Sequence, residues 1–372
     1  MTETLKDKAI KGFKSPEDFI GFIEMMEAVS EWKDNVNIED VTFQCYSTED
    51  VRGRSKQWLD TVTEGTKLFI TYEGMTYPVR DCAMQSVLER VGATCSFINS
   101  VSPERRAELL SEAATVVNEK GRNRYDSPTK KGIISIVDGK ISAFLSDSKT
   151  KIGYQKQEQS KFMRDVHERV LNDGGVEDFD GFFTFNGCDA TWVSNQEVIL
   201  KDENNKDVLY NVEIHASSSD VGKGALHCSA RLNDGFGCII PVGEEKIPHR
   251  KALTAQDVTD AIDKLNKQIN RRSADLDELK KVIVQYPEGC LKKIIKEFEL
   301  PLKIGTAVVD SYIETFGKGK ATAYTLFLVL CQINGRLKEV RPEKFDFRNK
   351  EEAIILKTLS KSVWEKYDSP LF

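Results

Sequence analysis

The chain has few of the residues that make up common catalytic and metal-binding signatures. Its 372 residues include four histidines and eight cysteines, and no two cysteines form a C-x-x-C pair. A structural zinc site therefore lacks its usual spacing. There is also no Gly-x-Ser-x-Gly elbow and no recognisable Cys/His signature, so no nucleophilic site is indicated. We expect no metal and no cofactor, and an enzyme is the least favoured class.

Long apolar runs and excess positive charge are absent too. No stretch of about 18 apolar residues occurs, and the first residues contain no apolar segment typical of a signal peptide. The net charge is -6, so binding to nucleic acid would need a local basic patch. With 40% hydrophobic and 30% charged residues, we expect a folded, soluble, cytoplasmic protein that does not contact membranes.

The hydrophobic pattern predicts an α+β fold, with an antiparallel β-meander core, flanking helices and a C-terminal helical region. Ser15-Pro16 begins a helix whose apolar spacing continues to Trp32. Residues 67–79 and 132–145 are typical of hairpins, the second with an Asp138-Gly139 turn. The predicted regions are an N-terminal helix and strand extension at 1–64, the α+β core at 65–250, and the helical region at 251–372.

The antiparallel sheet is predicted from a change of period. Between residues 176 and 240 apolar residues alternate, with strand candidates near 181–185, 191–200, 208–215 and 225–232. The loops between them are too short for crossover helices, so these strands form a meander. After Pro248 the apolar spacing becomes helical again, over residues 254–284, 290–298, 302–316, 321–338 and 350–364.

Two segments combine basic residues with an aromatic, which suits single-stranded nucleic acid because cations bind phosphates and rings stack on bases. The loop at residues 120–131 has five basic residues and one acid around Tyr125. A solvated surface loop is the alternative for this segment. A smaller combination, which includes Lys56, lies at residues 52–58, in a segment (51–58) that we expect to be a polar connector. The candidate nucleic-acid-binding residues are Arg122, Arg124, Tyr125, Lys130, Lys131, Arg52, Arg54 and Trp58.

Gly222-Lys223-Gly224 is a weaker candidate, an anion nest with exposed backbone N–H groups. It is not a P-loop, because the G-x-x-x-x-G-K-[ST] order is missing and a strand is expected after it. A plain turn is the alternative. His215 and His227 could face each other on adjacent strands, but a metal needs three or four converging ligands, and Cys228 points to the opposite face from His227.

Three stretches of sequence carry a resemblance. Residues 142–147 (Ser-Ala-Phe-Leu-Ser-Asp) are similar to an Arg-Ala-x-Leu-Ser-Asp-x-Tyr segment. Residues 214–218 and 231–235 are similar to a Ser-His-Asp-Gly-Ser strand end and a later Arg-x-x-Cys-x-Asn-Gly, and His249 falls where another histidine is frequent. Together they resemble the phage/plasmid-like family of proteins of unknown function, which are carried on prophages and conjugative plasmids.

The resemblance implies a setting in the DNA metabolism of a mobile element, and it supplies no catalytic residues. We therefore predict a non-enzymatic protein of a phage or plasmid that binds or anneals single-stranded DNA. The alternative is a protein-interaction or assembly component, such as a virion or host-interference factor, without nucleic-acid binding. The acidic net charge and the large helical tail favour this alternative. A homo-oligomer is compatible with both functions.

Overall fold

A computed structural model describes residues 6–93, 96–120, 131–146, 156–219, 226–247, 252–340 and 345–370. Over these residues the predicted α+β class is confirmed: an antiparallel sheet of six strands packs with helices, several of them C-terminal. None of the described helices combines the length and the apolar character needed to cross a membrane.

The first part of the chain forms two small antiparallel sheets, ordered β3-β4-β5 and β2-β6-β7. Helix α5 packs against β3, and α3 packs against β7, around an apolar core of their own. The elements are β1 (Lys11–Phe13), α1 (Pro16–Ala28), β2 (Ser30–Asn37), β3 (Thr42–Cys45), α2 (Lys56–Thr63), β4 (Leu68–Tyr72), β5 (Met75–Pro78), α3 (Met84–Arg90), α4 (Ser96–Ser100), α5 (Pro103–Lys120), β6 (Lys131–Val137) and β7 (Lys140–Ser146).

The large sheet is an antiparallel meander in the order β1-β8-β9-β10-β11-β12, with the N-terminal strand β1 at one edge. Helix α6 packs on β9 and β10, and α1 packs on α6 and β8. The elements are α6 (Gln159–Asn172), β8 (Val176–Thr184), β9 (Gly187–Lys201), β10 (Asp207–Ser218), β11 (Leu226–Asn233) and β12 (Ile239–Ile247).

The C-terminal helices pack around the β12 edge of this sheet, where α7, α10 and α11 all contact β12. One apolar core joins α1, the sheet and these helices. The elements are α7 (Ala255–Lys280), β13 (Ile283–Val284), α8 (Pro287–Glu297), α9 (Leu302–Phe316), β14 (Ala321–Thr322), α10 (Ala323–Val340), α11 (Phe345–Lys357) and α12 (Lys361–Tyr367).

The helix predicted to reach Trp32 ends at Ala28, and that part of the prediction is wrong. Its start is as expected, since Asp18 N donates to Ser15 Oγ at 3.1 Å. At the other end the Ser30 hydroxyl donates to Met26 O at 2.7 Å, and Ser30 begins the pairing of β2 with β6. Trp32 is therefore a strand residue, because sheet pairing overrides a pattern that helical spacing alone would continue.

Three other local predictions need correction. Strands β1 and β12 were not predicted, although both belong to the large sheet. The single helix expected at residues 350–364 is two helices, α11 and α12, separated at residues 358–360. The segment expected to be a polar connector at residues 51–58 contains Val51, which is 1% exposed, and the start of α2.

Candidate nucleic-acid interface

Residues 52–58, which we call the basic–aromatic segment, lead into α2 and carry three exposed cations. Arg52, Arg54 and Lys56 are all exposed, and within the described part of the chain none of them is paired with a carboxylate. The Arg54 guanidinium lies 5.1 Å from the centroid of the Trp58 ring. The structure therefore brings together the predicted residues Arg54 and Trp58, and it leaves Arg52 exposed in the preceding loop.

Trp58 is half-buried and belongs to a small aromatic cluster. Its ring centroid lies 4.7 Å from that of Phe69 and 5.5 Å from that of Tyr46, which is also half-buried. Val51 and Phe69, at 1% and 0% exposure, form the floor of the cluster. Because these buried residues hold both rings, Tyr46 and Trp58 form an ordered aromatic surface at the edge of the protein.

Short local contacts shape the loop before α2. Arg54 N donates to Val51 O at 2.9 Å, and Gly53 has a φ of 82°, a left-handed conformation that favours glycine. The nearby acid Asp50 accepts hydrogen bonds from Ser47 Oγ and Ser47 N, both at 2.7 Å, and these bonds lower the pKa of its carboxyl. This acid is thus held in the loop by Ser47, and no ion pair joins it to Arg52 or Arg54.

Helix α2 connects this segment with the turn between β6 and β7. Gln57 Nε2 donates to Asp138 Oδ1 at 3.5 Å, in the Asp138-Gly139 turn. Glu64, directly after α2, forms an exposed ion pair of 3.1 Å with Lys6. Lys6 therefore lies against the end of α2.

Asp7, the residue after Lys6, belongs to a buried ionic cluster. The carboxylate oxygen Asp7 Oδ1 accepts from Arg80 Nη1 at 2.6 Å and from Lys140 Nζ at 3.1 Å. The side chains of Arg80, Lys140 and Asp7 are 1%, 4% and 10% exposed. Arg80 N donates to Ile141 O at 2.9 Å, which fixes Arg80 beside Lys140. Two buried cations thus share one carboxylate.

Further contacts hold the Arg80 side chain in place. Its Nη2 donates to Val137 O at 2.9 Å, and its guanidinium carbon lies 3.5 Å from the Phe185 ring centroid. Burial lowers the pKa of Arg80 and of Lys140, and the Asp7 carboxylate offsets only part of this effect. We call Arg80, Lys140 and Asp7 the dibasic cluster.

Most of the other predicted binding residues lie outside the described residues. These are Arg122, Arg124, Tyr125 and Lys130 of the basic loop, together with Gly222, Lys223 and Gly224. Lys131 is described: it is exposed and begins β6 opposite Asn37. The prediction that a strand follows Gly224 is confirmed, because β11 begins at Leu226 and pairs antiparallel with β10.

A buried polar surface on the large sheet was missed by the sequence reasoning. His215 Nε2 lies 2.5 Å from Asp189 Oδ2, and His215 Nδ1 lies 3.3 Å from Ser229 Oγ. The residues of this surface, which we call the polar face, alternate along three strands and are all at most 8% exposed. They are Asp189 and Thr191 on β9, Glu213, His215 and Ser217 on β10, and Ser229 and Arg231 on β11.

The C-terminal helices supply partners for the charged residues of this face. Arg231 Nε lies 2.6 Å from Glu352 Oε1 of α11, and Lys338 Nζ of α10 lies 3.0 Å from Glu213 Oε1. Burial opposes the charge on Arg231, but the carboxylates of Glu352 and Glu213 raise the pKa of its guanidinium. These pairs fix the helices to the sheet.

The Ser229, His215 and Asp189 side chains have the order of a hydrolytic triad, but their setting does not suit acyl transfer. Ser229 is 3% exposed and lies in the middle of β11, paired with β10 on one side and β12 on the other. Its backbone groups are therefore used in the sheet and cannot form an oxyanion hole. We interpret the three residues as a buried hydrogen-bonded network that orients His215.

The histidine pair considered from sequence is not directly opposed. His215 lies opposite Ser229, and His227 lies opposite Ser217, so the two rings occupy neighbouring rows of the same face. Within the described residues there is no group of three histidine, cysteine, aspartate or glutamate side chains that could hold a metal ion.

No family model, no curated protein and no solved structure matches this chain. The polar face contains His215 and Arg231, two of the residues on which the resemblance to the phage/plasmid-like family depends. Membership of that family stays a prediction.

Proposed function

We propose that the chain is a non-enzymatic, cytoplasmic protein of a phage or plasmid that binds or anneals single-stranded DNA through the basic–aromatic segment. One observation supports this proposal above all: the Arg54 guanidinium lies over the half-buried Trp58 ring, which packs beside Tyr46. Arg54 and the neighbouring cations Arg52 and Lys56 are exposed and have no carboxylate partner in the described chain.

The chemistry of the segment matches the two features that every single strand presents. Cations that neutralise phosphates release condensed counterions, so this part of the affinity falls as salt rises. Unpaired bases expose ring faces, and stacking on an aromatic side chain contributes roughly 1 to 3 kcal/mol per base. Neither contact reads a base edge, so we expect little sequence preference.

The fold of the segment favours binding because little of it has to become ordered. Val51 and Phe69 hold the Trp58 ring from beneath, and the Gly53 turn and α2 fix the backbone on either side. An ordered site loses less conformational entropy on binding than a mobile loop does.

The test is a titration of a fluorescently labelled oligo-dT, followed by anisotropy at low salt. The variant Arg52→Gln/Arg54→Gln/Lys56→Gln is expected to bind at least about tenfold more weakly than the unmodified protein, since three phosphate contacts are lost. A matched control is Lys267→Gln/Lys303→Gln/Lys320→Gln, which removes the same charge from three other exposed positions that form no ion pair among the described residues. Equal affinities for both triple variants would refute the proposal.

The alternative function, assembly or protein interaction, is favoured by a different residue. Phe236 is 96% exposed at the tip of the β11–β12 turn. The turn is well ordered: Asp234 Oδ1 accepts from Phe236 N at 2.8 Å and from Cys238 N at 3.0 Å. Single exposed apolar residues are common on protein surfaces, and this one favours a contact role because it is an almost fully exposed aromatic, a residue type enriched in interfaces.

This alternative, including a homo-oligomer, is tested by sedimentation velocity of the unmodified protein and of Phe236→Ser over a range of concentrations. Self-association that Phe236→Ser abolishes would support assembly through this turn. A monomer at every concentration would remove the homo-oligomer from consideration.

A further inference from the structure

The dibasic cluster holds more positive charge than its one carboxylate neutralises. Arg80 and Lys140 are buried and converge on the single oxygen Asp7 Oδ1. Asp138 also raises the pKa of Arg80, and Asp60 that of Lys140, but both act through charge attraction without a hydrogen bond. Burying two cations costs free energy that one shared carboxylate repays poorly, and apolar residues could fill the same space. This arrangement is typical of a site for an anion.

Hydrogen-bonding capacity is left over within the cluster. In the described chain, Asp7 Oδ2 and Arg80 Nε are buried and have no hydrogen-bond partner. Inorganic phosphate has four oxygens in a tetrahedral arrangement, and a phosphodiester of DNA has two non-bridging oxygens that share one negative charge. Either group could place separate oxygens on the guanidinium and on the ammonium group, which in this structure share the single oxygen Asp7 Oδ1.

The carboxylate that fills the site belongs to a short N-terminal strap, residues 6–8. The side chains of its neighbours form surface ion pairs, Lys6 with Glu64 at 3.1 Å and Lys8 with Asp81 at 3.4 Å, and Ala9 N donates to Lys6 O within the segment. Such surface ion pairs add little to the stability of the folded state, and salt weakens them. Farther along, β1 fixes the chain to β8. The strap can thus leave the cluster without loss of the sheet.

The cluster lies close to the basic–aromatic segment. The segment leads directly into α2. The cluster lies along the same helix, because Asp138, two residues before Lys140, accepts from Gln57 near its start, and Lys6, next to Asp7, pairs with Glu64 at its end. An eight-residue helix is roughly 12 Å long. One strand of nucleic acid could reach both places.

We propose that Arg80 and Lys140 form a phosphate-binding pocket that Asp7 occupies in cis, and that a phosphate of the bound DNA strand displaces the strap. The displacement rests on the proposed function, whereas the pocket itself does not. Asp7 is then an internal competitor that weakens DNA binding until the strand is engaged.

The first experiment is calorimetric titration with inorganic phosphate at constant ionic strength, with chloride as the reference anion. Asp7→Ala is expected to bind phosphate at least tenfold more tightly than the unmodified protein. Asp7→Ala/Lys140→Met should lose this gain. Lys8→Ala is the control, since it removes a strap contact and leaves the pocket filled. No gain in Asp7→Ala would overturn the pocket; if that variant does not fold, Asp7→Asn replaces it in the same comparison.

The second experiment repeats the labelled oligo-dT titration with Asp7→Ala, which is expected to bind the strand several-fold more tightly. Phosphate binding without any gain for oligo-dT would mean a pocket for free phosphate, and would overturn the displacement. If no form binds oligo-dT while Asp7→Ala binds phosphate, the proposed function fails and the pocket stands.

Discussion

His215 Nε2 and Asp189 Oδ2 lie 2.5 Å apart inside the large sheet, where the two side chains are 0% and 2% exposed. Removing one partner of such a pair leaves the other buried with less compensation. We expect Asp189→Ala to lower the free energy of unfolding by about 3 kcal/mol, and Asp189→Asn to lower it less, because the amide oxygen can still accept a hydrogen bond.

Urea unfolding at neutral pH measures this loss. Asp180→Ala is the matched control on the same face, since Asp180 is 32% exposed and pairs with Lys14 at the surface. It should cost less than about 1 kcal/mol. Similar losses for Asp180→Ala and Asp189→Ala would contradict the view that the buried network stabilises the sheet.

The buried carboxyl of Glu351 should make the free energy of unfolding depend on pH. Burial raises the pKa of its carboxyl to about 7, although neighbouring Lys350 opposes the rise. The folded state then keeps a proton that the unfolded state releases near its ordinary value, so this group makes stability fall as pH rises from about 4.5 to 7, with no further change above.

Glu351→Gln should remove this dependence. The free energy of unfolding of the variant minus that of the unmodified protein should be about 2 kcal/mol larger at pH 8 than at pH 5. Urea unfolding at the two pH values gives the difference, and Glu365→Gln, at a position that is 56% exposed, serves as the control. A gain independent of pH would show that Glu351 is already charged in the folded state at pH 5.

A substitution at Gly335 on α10 tests whether close packing against this helix fixes the β11–β12 turn. A Cβ atom at this position would lie 2.1 Å from the Gly237 carbonyl oxygen, which is too close for any side chain. We expect Gly335→Ala to destabilise the fold by roughly 1 to 3 kcal/mol through overpacking. Thermal unfolding is the measurement.

Gly21 in α1 is the matched control for this substitution. It is exposed, and an added Cβ would meet nothing within 4 Å. Gly21→Ala should therefore stabilise the protein by roughly 0.5 to 1 kcal/mol, as is usual for an exposed helical glycine. A stabilising effect of Gly335→Ala would mean that the turn can move away from α10.

The sequence predicted those elements whose local pattern agrees with their final packing. The hairpin at Asp138-Gly139 is confirmed, and both residues have the positive φ that its turn requires, 48° and 71°. The helix starts predicted at Ser15 and at residue 254 are confirmed as well, and the side chains of Ser15 and Thr254 cap the two helices. In contrast, β12 could not be predicted from alternation, because Gly243 and the charged residues after it interrupt the pattern.

The buried polar sites depend on tertiary contacts that no local pattern contains. Alternation at Glu213, His215 and Ser217 was visible, but polar residues on one face of a strand usually indicate solvent. The face is buried because distant elements cover it, as the pairing of Arg231 with Glu352 illustrates. The dibasic cluster joins Asp7 to Arg80, which is 73 positions away.

Part of the candidate interface was predictable. Arg52, Arg54 and Trp58 were identified because basic residues and an aromatic occur together, and in the structure the Arg54 guanidinium lies over the Trp58 ring. Tyr46 was not identified, since its ring comes beside Trp58 only because both rings pack on Phe69 of β4. The charged residues could be found from a local sequence pattern, whereas the aromatic surface depends on the packing of residues that are distant in the sequence.

The most direct test of the central claim is the salt dependence of oligo-dT binding. Affinities of the unmodified protein and of Arg52→Gln/Arg54→Gln/Lys56→Gln are measured between low and moderate salt, and the logarithm of the association constant is plotted against that of the salt concentration. Each phosphate contact on a single strand contributes roughly 0.7 to the slope. Loss of three contacts should therefore make the slope of the variant shallower by about 2. Parallel slopes, or no binding by the unmodified protein at low salt, would contradict the account.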